Sequence, residues 1–258
     1  MARALLFDLD ETLVVEEPAA AAAFAATAQV AAVRHGMDLE LLASEARSRA
    51  RELWYAAPTH PYCMRVGISS WEGLWCRFEG DGSDVRALRE WSPTYRYETW
   101  RLALADQGVD DRRLAVELAE RYGEERRARH EVFADAVSAL TRLRESHSMA
   151  LVTNGAGCLQ REKLGASGLG DFFDAVVVSA DLGVAKPDAS VFEHVLTQLD
   201  VDGADAVMVG DSISNDIDGA LAAGLGAIWV NRNGGATPDR ADLVEISTLS
   251  DLPGALEK

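Results

Sequence analysis

The chain has 258 residues, 48% hydrophobic and 26% charged, enough for one large domain or for a core with a second domain inserted in it. A formal net charge of −17 excludes the basic footprint of a nucleic-acid binder and suits an anionic membrane surface poorly. Three cysteines without CxxC spacing, Cys63, Cys76 and Cys158, together with an acidic strand start in place of a secretory leader, read as a cytoplasmic protein in a reducing compartment.

The first predicted element is the apolar run Ala4-Leu5-Leu6-Phe7, which suits a strand covered on both faces in a parallel sheet. Asp8, Asp10 and Glu11 follow it at once. In open α/β sheets ligands sit beyond the carboxyl ends of strands, and on an extended chain residues two apart project to the same side. At ~4 Å and an effective dielectric near 20, two carboxylates repel by roughly 4 kcal/mol. A cation, a shifted proton or a nearby lysine must then compensate. Taken alone, the segment reads equally well as an acidic loop that caps a helix.

From 16 to 132 the patterns are helical. The alanine-rich run at 19–26 follows Pro18, a helix-start signal, and Thr27, Gln29 and Arg34 interrupt it before a membrane span of ~20 residues is reached. This block holds five of the six tryptophans, Trp54, Trp71, Trp75, Trp91 and Trp100, and its 16 basic residues are all arginine. Aromatic residues at helical spacing read as core, with an aromatic wall for a substrate's organic part as the alternative. Gly80-Asp81-Gly82-Ser83-Asp84 reads as a turn cluster between helices.

From about Asp135 onward, short β-rich runs at 149–153, 175–179, 206–210 and 227–231 alternate with helical stretches near 159–167, 189–199 and 213–223. Such alternation signals βαβ units around a parallel sheet, which the opening strand joins. The expected fold is α/β: a doubly wound, mainly parallel, Rossmann-like core formed by 1–15 and 133–258, with an all-helical domain at 16–132 inserted after the first strand.

Three later strand ends are polar. Thr153-Asn154-Gly155 supplies a hydroxyl and backbone N–H groups, an oxyanion cradle or simply a turn. Lys186, before Pro187, is one of only three lysines in the chain; near a phosphate it would be an electrostatic clamp, and elsewhere a solvated charge. Gly210-Asp211-Ser212 ends an apolar run, and Asp216 opens the next helix. Two strand ends presenting carboxylates to one crevice would bind a hard cation such as Mg²⁺, for which two or three protein oxygens suffice.

In order, Asp8-x-Asp10-x-Thr12, Thr153-Asn154, Lys186-Pro187 and Gly210-Asp211 with Asn215-Asp216 resemble the four motifs of the haloacid dehalogenase-like superfamily, on its phosphatase side. The resemblance covers essentially the whole chain, with a helical cap between the first and second motifs, and the last third looks like phosphatases of sugar phosphates or nucleoside monophosphates. It implies a phosphoric monoester hydrolase in which Asp8 is the nucleophile that forms an aspartyl-phosphate. Asp10 would protonate the leaving alcohol and then activate water. Mg²⁺ would be held by Asp8, the Asp10 backbone carbonyl and Asp211. Thr153 and the Asn154 N–H would bind the phosphoryl oxygens, and Lys186 would neutralise charge on Asp8 and phosphate. Thr12 and Asp216 would support the site, Asp216 holding the metal's water shell or Lys186.

The implied partner is a small soluble phosphate ester, with no nucleic acid and no membrane, acted on by a monomer or homodimer. Dehalogenation is disfavoured because superfamily dehalogenases lack the second aspartate, here Asp10. A lysine-free cap does not fit the phosphonate-cleaving members. A phosphomutase remains the alternative on the same fold, since the cap arginines would suit a bisphosphate. A non-catalytic phosphoacceptor or binding protein is the alternative of another class; the split acidic pair and the long insertion argue against a receiver domain.

Overall fold

Strand β1 (Ala4–Phe7) is buried along its whole length in the computed structural model, which describes residues 2–236, 240 and 243–257. The chain continues through β2 (Val14–Val15), α1 (Glu17–His35), α2 (Leu39–Tyr55), α3 (His60–Val66), α4 (Ser70–Gly73), α5 (Ser83–Asp106), α6 (Arg112–Arg127) and β3 (Glu131–Val132). It then forms α7 (Ala136–Leu143), β4 (Ser148–Thr153), α8 (Gly157–Ser167), β5 (Ala175–Val178), α9 (Ser179–Leu182) and α10 (Ala189–Leu199). After β6 (Ala206–Gly210) come a π-helical turn at Ile213–Ile217, α11 (Asp218–Ala222), β7 (Gly226–Val230), β8 (Val244–Ile246) and α12 (Leu252–Ala255). Two units result: Met1–Glu16 with Glu131–Gly155 and Gln160–Lys258, and Glu17–His130 with Ala156–Leu159.

The first unit is built on a six-stranded sheet in the order β5-β4-β1-β6-β7-β8, parallel throughout. Because side chains alternate across a strand, β1 feeds two cores. Leu5 and Phe7 join Met149, Leu151, Val209 and Leu140 on one face; Ala4 and Leu6 join Ala150, Val152, Met208 and Phe192 on the other. Burial on both faces is why the β1 sequence is apolar without alternation. Phe7, the last residue of β1, is in register with Leu151 of β4 and Val209 of β6, so Asp8 leaves β1 beside the last residues of its two neighbours, which end at Thr153 and Gly210. The sequence patterns did not mark β8 or the antiparallel pair β2–β3, which joins Val14 to Val132 and Val15 to Glu131; segments of two or three residues are too short to show a period.

The second unit packs α1 against α2 and α6, and α5 against α2 and α6. Its interior is aromatic: Phe24 lies 4.5 Å from Tyr122 and 6.0 Å from Trp100, and Trp54 lies 5.4 Å from Tyr95. A Cβ at Gly73 would fall 2.2 Å from the Trp54 ring, so only glycine allows α4 to approach α2 this closely. The expected turn cluster is shorter than the sequence implies, because Ser83 and Asp84 already belong to α5. Among the described residues no helix is long and apolar enough to cross a membrane.

Candidate active site

Asp8 leaves the end of β1, Thr153 closes β4, and Asp211 follows β6. The order β4-β1-β6 makes this the point where successive connections depart in opposite directions, and there a crevice opens at the carboxyl edge of a doubly wound sheet. Carboxylate oxygens of Asp8, Asp211 and Asp216 lie within 4.8 Å of one another. Asp216 is carried into this group by the π-helical turn, which Ser212 caps by accepting from the Asn215 N–H at 3.2 Å. The turn replaces the first part of the expected helix near 213–223, and the remainder is α11. The extra residue of a π turn re-aims a side chain, and Asp216 Oδ2 accepts from the Ser212 N–H at 3.0 Å. A Cβ at Gly210 would sit 2.3 Å from that same oxygen, so glycine at the end of β6 is a condition for this placement.

Lys186 supplies the opposing charge. Its Nζ lies 2.7 Å from Asp8 Oδ1 and 2.7 Å from Asp216 Oδ1, and it donates to the Val152 carbonyl at 2.7 Å. The three donors of the ammonium are thereby taken up. Burial works against the lysine's charge, but Asp216 and Asp8 hold its pKa above the ordinary range. Asn154 fixes the lysine's backbone: Oδ1 accepts from the Lys186 N–H at 2.9 Å and Nδ2 donates to its carbonyl at 3.1 Å.

Three carboxylates against one ammonium leave an excess of two negative charges in a buried site. Burial, opposed by Lys186 and reinforced by Asp216, Asp211 and Asp10, lifts Asp8 well above the usual carboxylate range. Burial and then Asp216 push Asp211 up to about 7, against Lys186. An all-oxygen donor set with this charge excess fits a hard divalent cation. Thr12 donates its hydroxyl to Asp211 Oδ1 at 3.5 Å, and Trp229 Nε1 donates to the Asp211 carbonyl at 2.7 Å.

The Asp10 carboxylate stands outside the three-carboxylate group and has its own partners. Lys163 Nζ lies 3.1 and 3.0 Å from its two oxygens, and Gln160 Nε2 donates to it at 3.0 Å. Gln160 also donates to Thr153 Oγ1 at 2.8 Å and to the Asn154 carbonyl at 2.6 Å, so one amide ties the first strand end to the second. Both residues escaped the sequence reading. Their signal was available: Lys163 is another of the three lysines, and Gln160 and Lys163 are three apart on α8, hence on one helical face. Arg232 was missed as well. It donates to the Thr12 carbonyl at 2.8 and 3.2 Å and pairs twice with Asp135 at 3.1 Å, its guanidinium 3.8 Å over the Phe133 ring. One side chain therefore holds the segment that leaves the first unit and the segment that returns to it.

Residues 2–224 match the family described as haloacid dehalogenase-like hydrolase. The chain is 36% identical to a phosphoserine phosphatase of Thermus thermophilus, over 96% of this chain and 95% of that one. It is 30% identical to an N-acylneuraminate-9-phosphatase of Rattus norvegicus, over 99% of this chain and 94% of that one. Among solved structures, a 2-haloacid dehalogenase from Pseudomonas syringae superposes with a TM-score of 0.60 at 28% identity, covering 100% of this chain and 99% of that one. With a mainly parallel sheet, a carboxylate crevice at its edge and this match over most of its length, the chain belongs to the haloacid dehalogenase-like hydrolases.

Proposed function

We propose that the protein is a Mg²⁺-dependent phosphatase that hydrolyses a small soluble phosphate monoester through an aspartyl-phosphate on Asp8. The observation that carries this reading is the pairing of Asp8 with a second aspartate, Asp10, on a separate hydrogen-bonded arm. Cleaving a phosphate ester needs both a nucleophile and a proton for the departing alkoxide. Displacing a halide needs only the former, so Asp10 favours phosphatase over dehalogenase chemistry despite the likeness to a dehalogenase fold.

Asp8 attacks phosphorus, and the P–O bond to the alcohol breaks as Asp10 gives that oxygen a proton. Asp10 then takes a proton from water, which attacks the phosphorus of the acyl phosphate and frees Asp8. Gln160 and Lys163 orient the Asp10 carboxylate for both transfers. Thr153 and the Asn154 N–H bind phosphoryl oxygens. Lys186, with its donors already spent, acts on the phosphoryl group through its charge. Asp8, Asp211 and the Asp10 carbonyl would hold Mg²⁺, which supplies charge neutralisation at the phosphoryl oxygens. Asp216 would hold Lys186 and the metal's water shell. The helical block 16–132 serves as the cap that selects the ester.

Two relatives matched over nearly their whole length carry phosphatase names for small anionic substrates. Phosphoserine and sugar-acid phosphates therefore join sugar phosphates and nucleoside monophosphates as first choices. The test is phosphate release from such a panel in Mg²⁺, then in excess EDTA, then with Mg²⁺ restored. We expect at least one ester to stand about tenfold or more above the others in kcat/KM, and activity to vanish and return with the metal. Full turnover in EDTA, or chloride release from 2-chloropropionate without phosphate release from any ester, would refute the proposal.

A further inference from the structure

Two of the three cysteines meet. Cys76, wholly buried just after α4, has its Sγ 3.5 Å from the Sγ of Cys158, which is half-buried in the first turn of the 11-residue helix α8. Both belong to the helical unit, which includes Ala156–Leu159, although 82 positions separate them in the chain. Each sulfur also receives a backbone donor: the Phe78 N–H points to Cys76 at 3.3 Å and the Glu79 N–H to Cys158 at 3.4 Å. The Cys76 backbone is itself held, its N–H on the Glu72 carbonyl at 2.8 Å and its carbonyl on Arg96. One thiol is thus fixed in the interior and the other stands at a helix start within reach of solvent. Cys63 lies in α3 and is fully buried.

We propose that Cys158 and Cys76 form a redox-modification site, in which hydrogen peroxide oxidises Cys158 and Cys76 resolves it to an intramolecular disulfide. The Cys158 thiolate attacks the peroxide: an S–O bond forms, the O–O bond breaks, and the departing oxygen leaves as water after taking up a proton. Sulfur has then lost two electrons and is a sulfenic acid. Cys76 sulfur attacks it: the S–S bond forms, the S–O bond breaks, and the hydroxyl leaves as water with the Cys76 proton. One peroxide is consumed and two waters are produced, and an external dithiol reverses the change. Bond formation requires the sulfurs to close from 3.5 Å to about 2.0 Å.

The division of labour follows from the surroundings. Hydrogen bonding from Cys76 and from the Glu79 and Phe78 N–H groups lowers the pKa of the Cys158 thiol, with burial opposing. The same sulfur contact, and then burial, raise that of Cys76. A peroxide in solvent reaches the half-buried Cys158 before the wholly buried Cys76, and a thiolate is the nucleophile toward it, so Cys158 reacts first and Cys76 second. Burial pushes Cys63 up to about 12, which makes it an internal control.

The test treats the intact protein with a small excess of hydrogen peroxide at neutral pH and maps unreduced peptides by mass spectrometry. We expect a product lighter by two hydrogens, the Cys76 and Cys158 peptides joined, Cys63 still free, and reversal by dithiothreitol. Cys76→Ser should stall at Cys158 sulfenic acid, captured by dimedone, and Cys158→Ser should consume peroxide about tenfold more slowly or worse. The wild-type map alone decides the matter if either variant fails to fold. Absence of the joined peptide, or oxidation of Cys63 before Cys158, would overturn the assignment. None of these readouts depends on phosphatase activity.

Discussion

Lys186 and Arg34 hold carboxylates at nearly the same distance, 2.7 and 2.8 Å, yet they belong to different kinds of structure. The Lys186 side chain is 2% exposed among three aspartates at the carboxyl edge of the sheet; Arg34 is 45% exposed on a helix, facing Glu117. Distance does not set the worth of an ion pair; desolvation does. The same contrast runs through the helical unit. Arg49 pairs with Glu52 and Asp106, Arg129 with Glu125, Arg96 holds the Gly73 and Cys76 carbonyls, and Arg127 holds the Trp75 carbonyl. An arginine-rich block is thus largely occupied with its own acids and turn carbonyls, and its composition alone is a weak sign of an anionic substrate.

The largest expected effect lies at the sheet edge. Asp8→Asn should lower phosphate release by about 10³-fold or more, because it removes the proposed nucleophile. The melting temperature should be unchanged or higher, since a buried carboxyl whose pKa burial has raised is costly to the fold when ionised. Retention of a tenth of wild-type activity would break the assignment of Asp8.

An intermediate effect is expected where charge is half-buried and structural. Asp135 accepts from Arg232, from Thr248 Oγ1 at 2.5 Å and from the Leu249 N–H at 2.7 Å. Burial alone would raise its pKa, but these donors hold it below the ordinary value. A group depressed on folding stabilises above its unfolded pKa near ~3.9 and loses that contribution as pH falls through the folded value. Asp135→Asn should cost about 2–3 kcal/mol at neutral pH. The gap in melting temperature between variant and wild type should narrow below about pH 4. An equal gap at every pH would show that packing, not charge, sets the cost.

The smallest effect sharpens the contrast from the other side. Arg34→Ala should leave the melting temperature within measurement error at physiological salt, because exposed pairs are screened and entropically costly. A clear drop would show that the surface pairs of the helical unit carry more than their exposure allows.

Much of this was legible in the sequence, for physical reasons. A strand buried on both faces must be apolar, and one that ends at a ligand crevice must turn abruptly polar; β1, β4 and β6 show both marks, and Asp8, Thr153 and Asp211 stand at their ends. Lys186 stood out by scarcity. What was hidden was either too short or too distant. β8 and the β2–β3 pair span two or three residues each. The partners of Asp10 lie 150 and 153 positions away, and only the folded sheet shows that α8 turns Gln160 and Lys163 toward the first strand end. The aim of Asp216 depends on a π turn and on an absent Cβ at Gly210, which helical periodicity does not reveal.

The proposed phosphatase reaction requires that Asp8 become covalently bound to phosphorus during turnover. It is tested most directly by mixing the enzyme with its best ester in Mg²⁺, quenching in acid within one turnover and mapping peptides by mass spectrometry. A phosphoryl group is expected on the peptide containing Asp8, appearing before free phosphate and absent from Asp8→Asn. Phosphate released with no labelled peptide at any time, or a label on another residue, would contradict it.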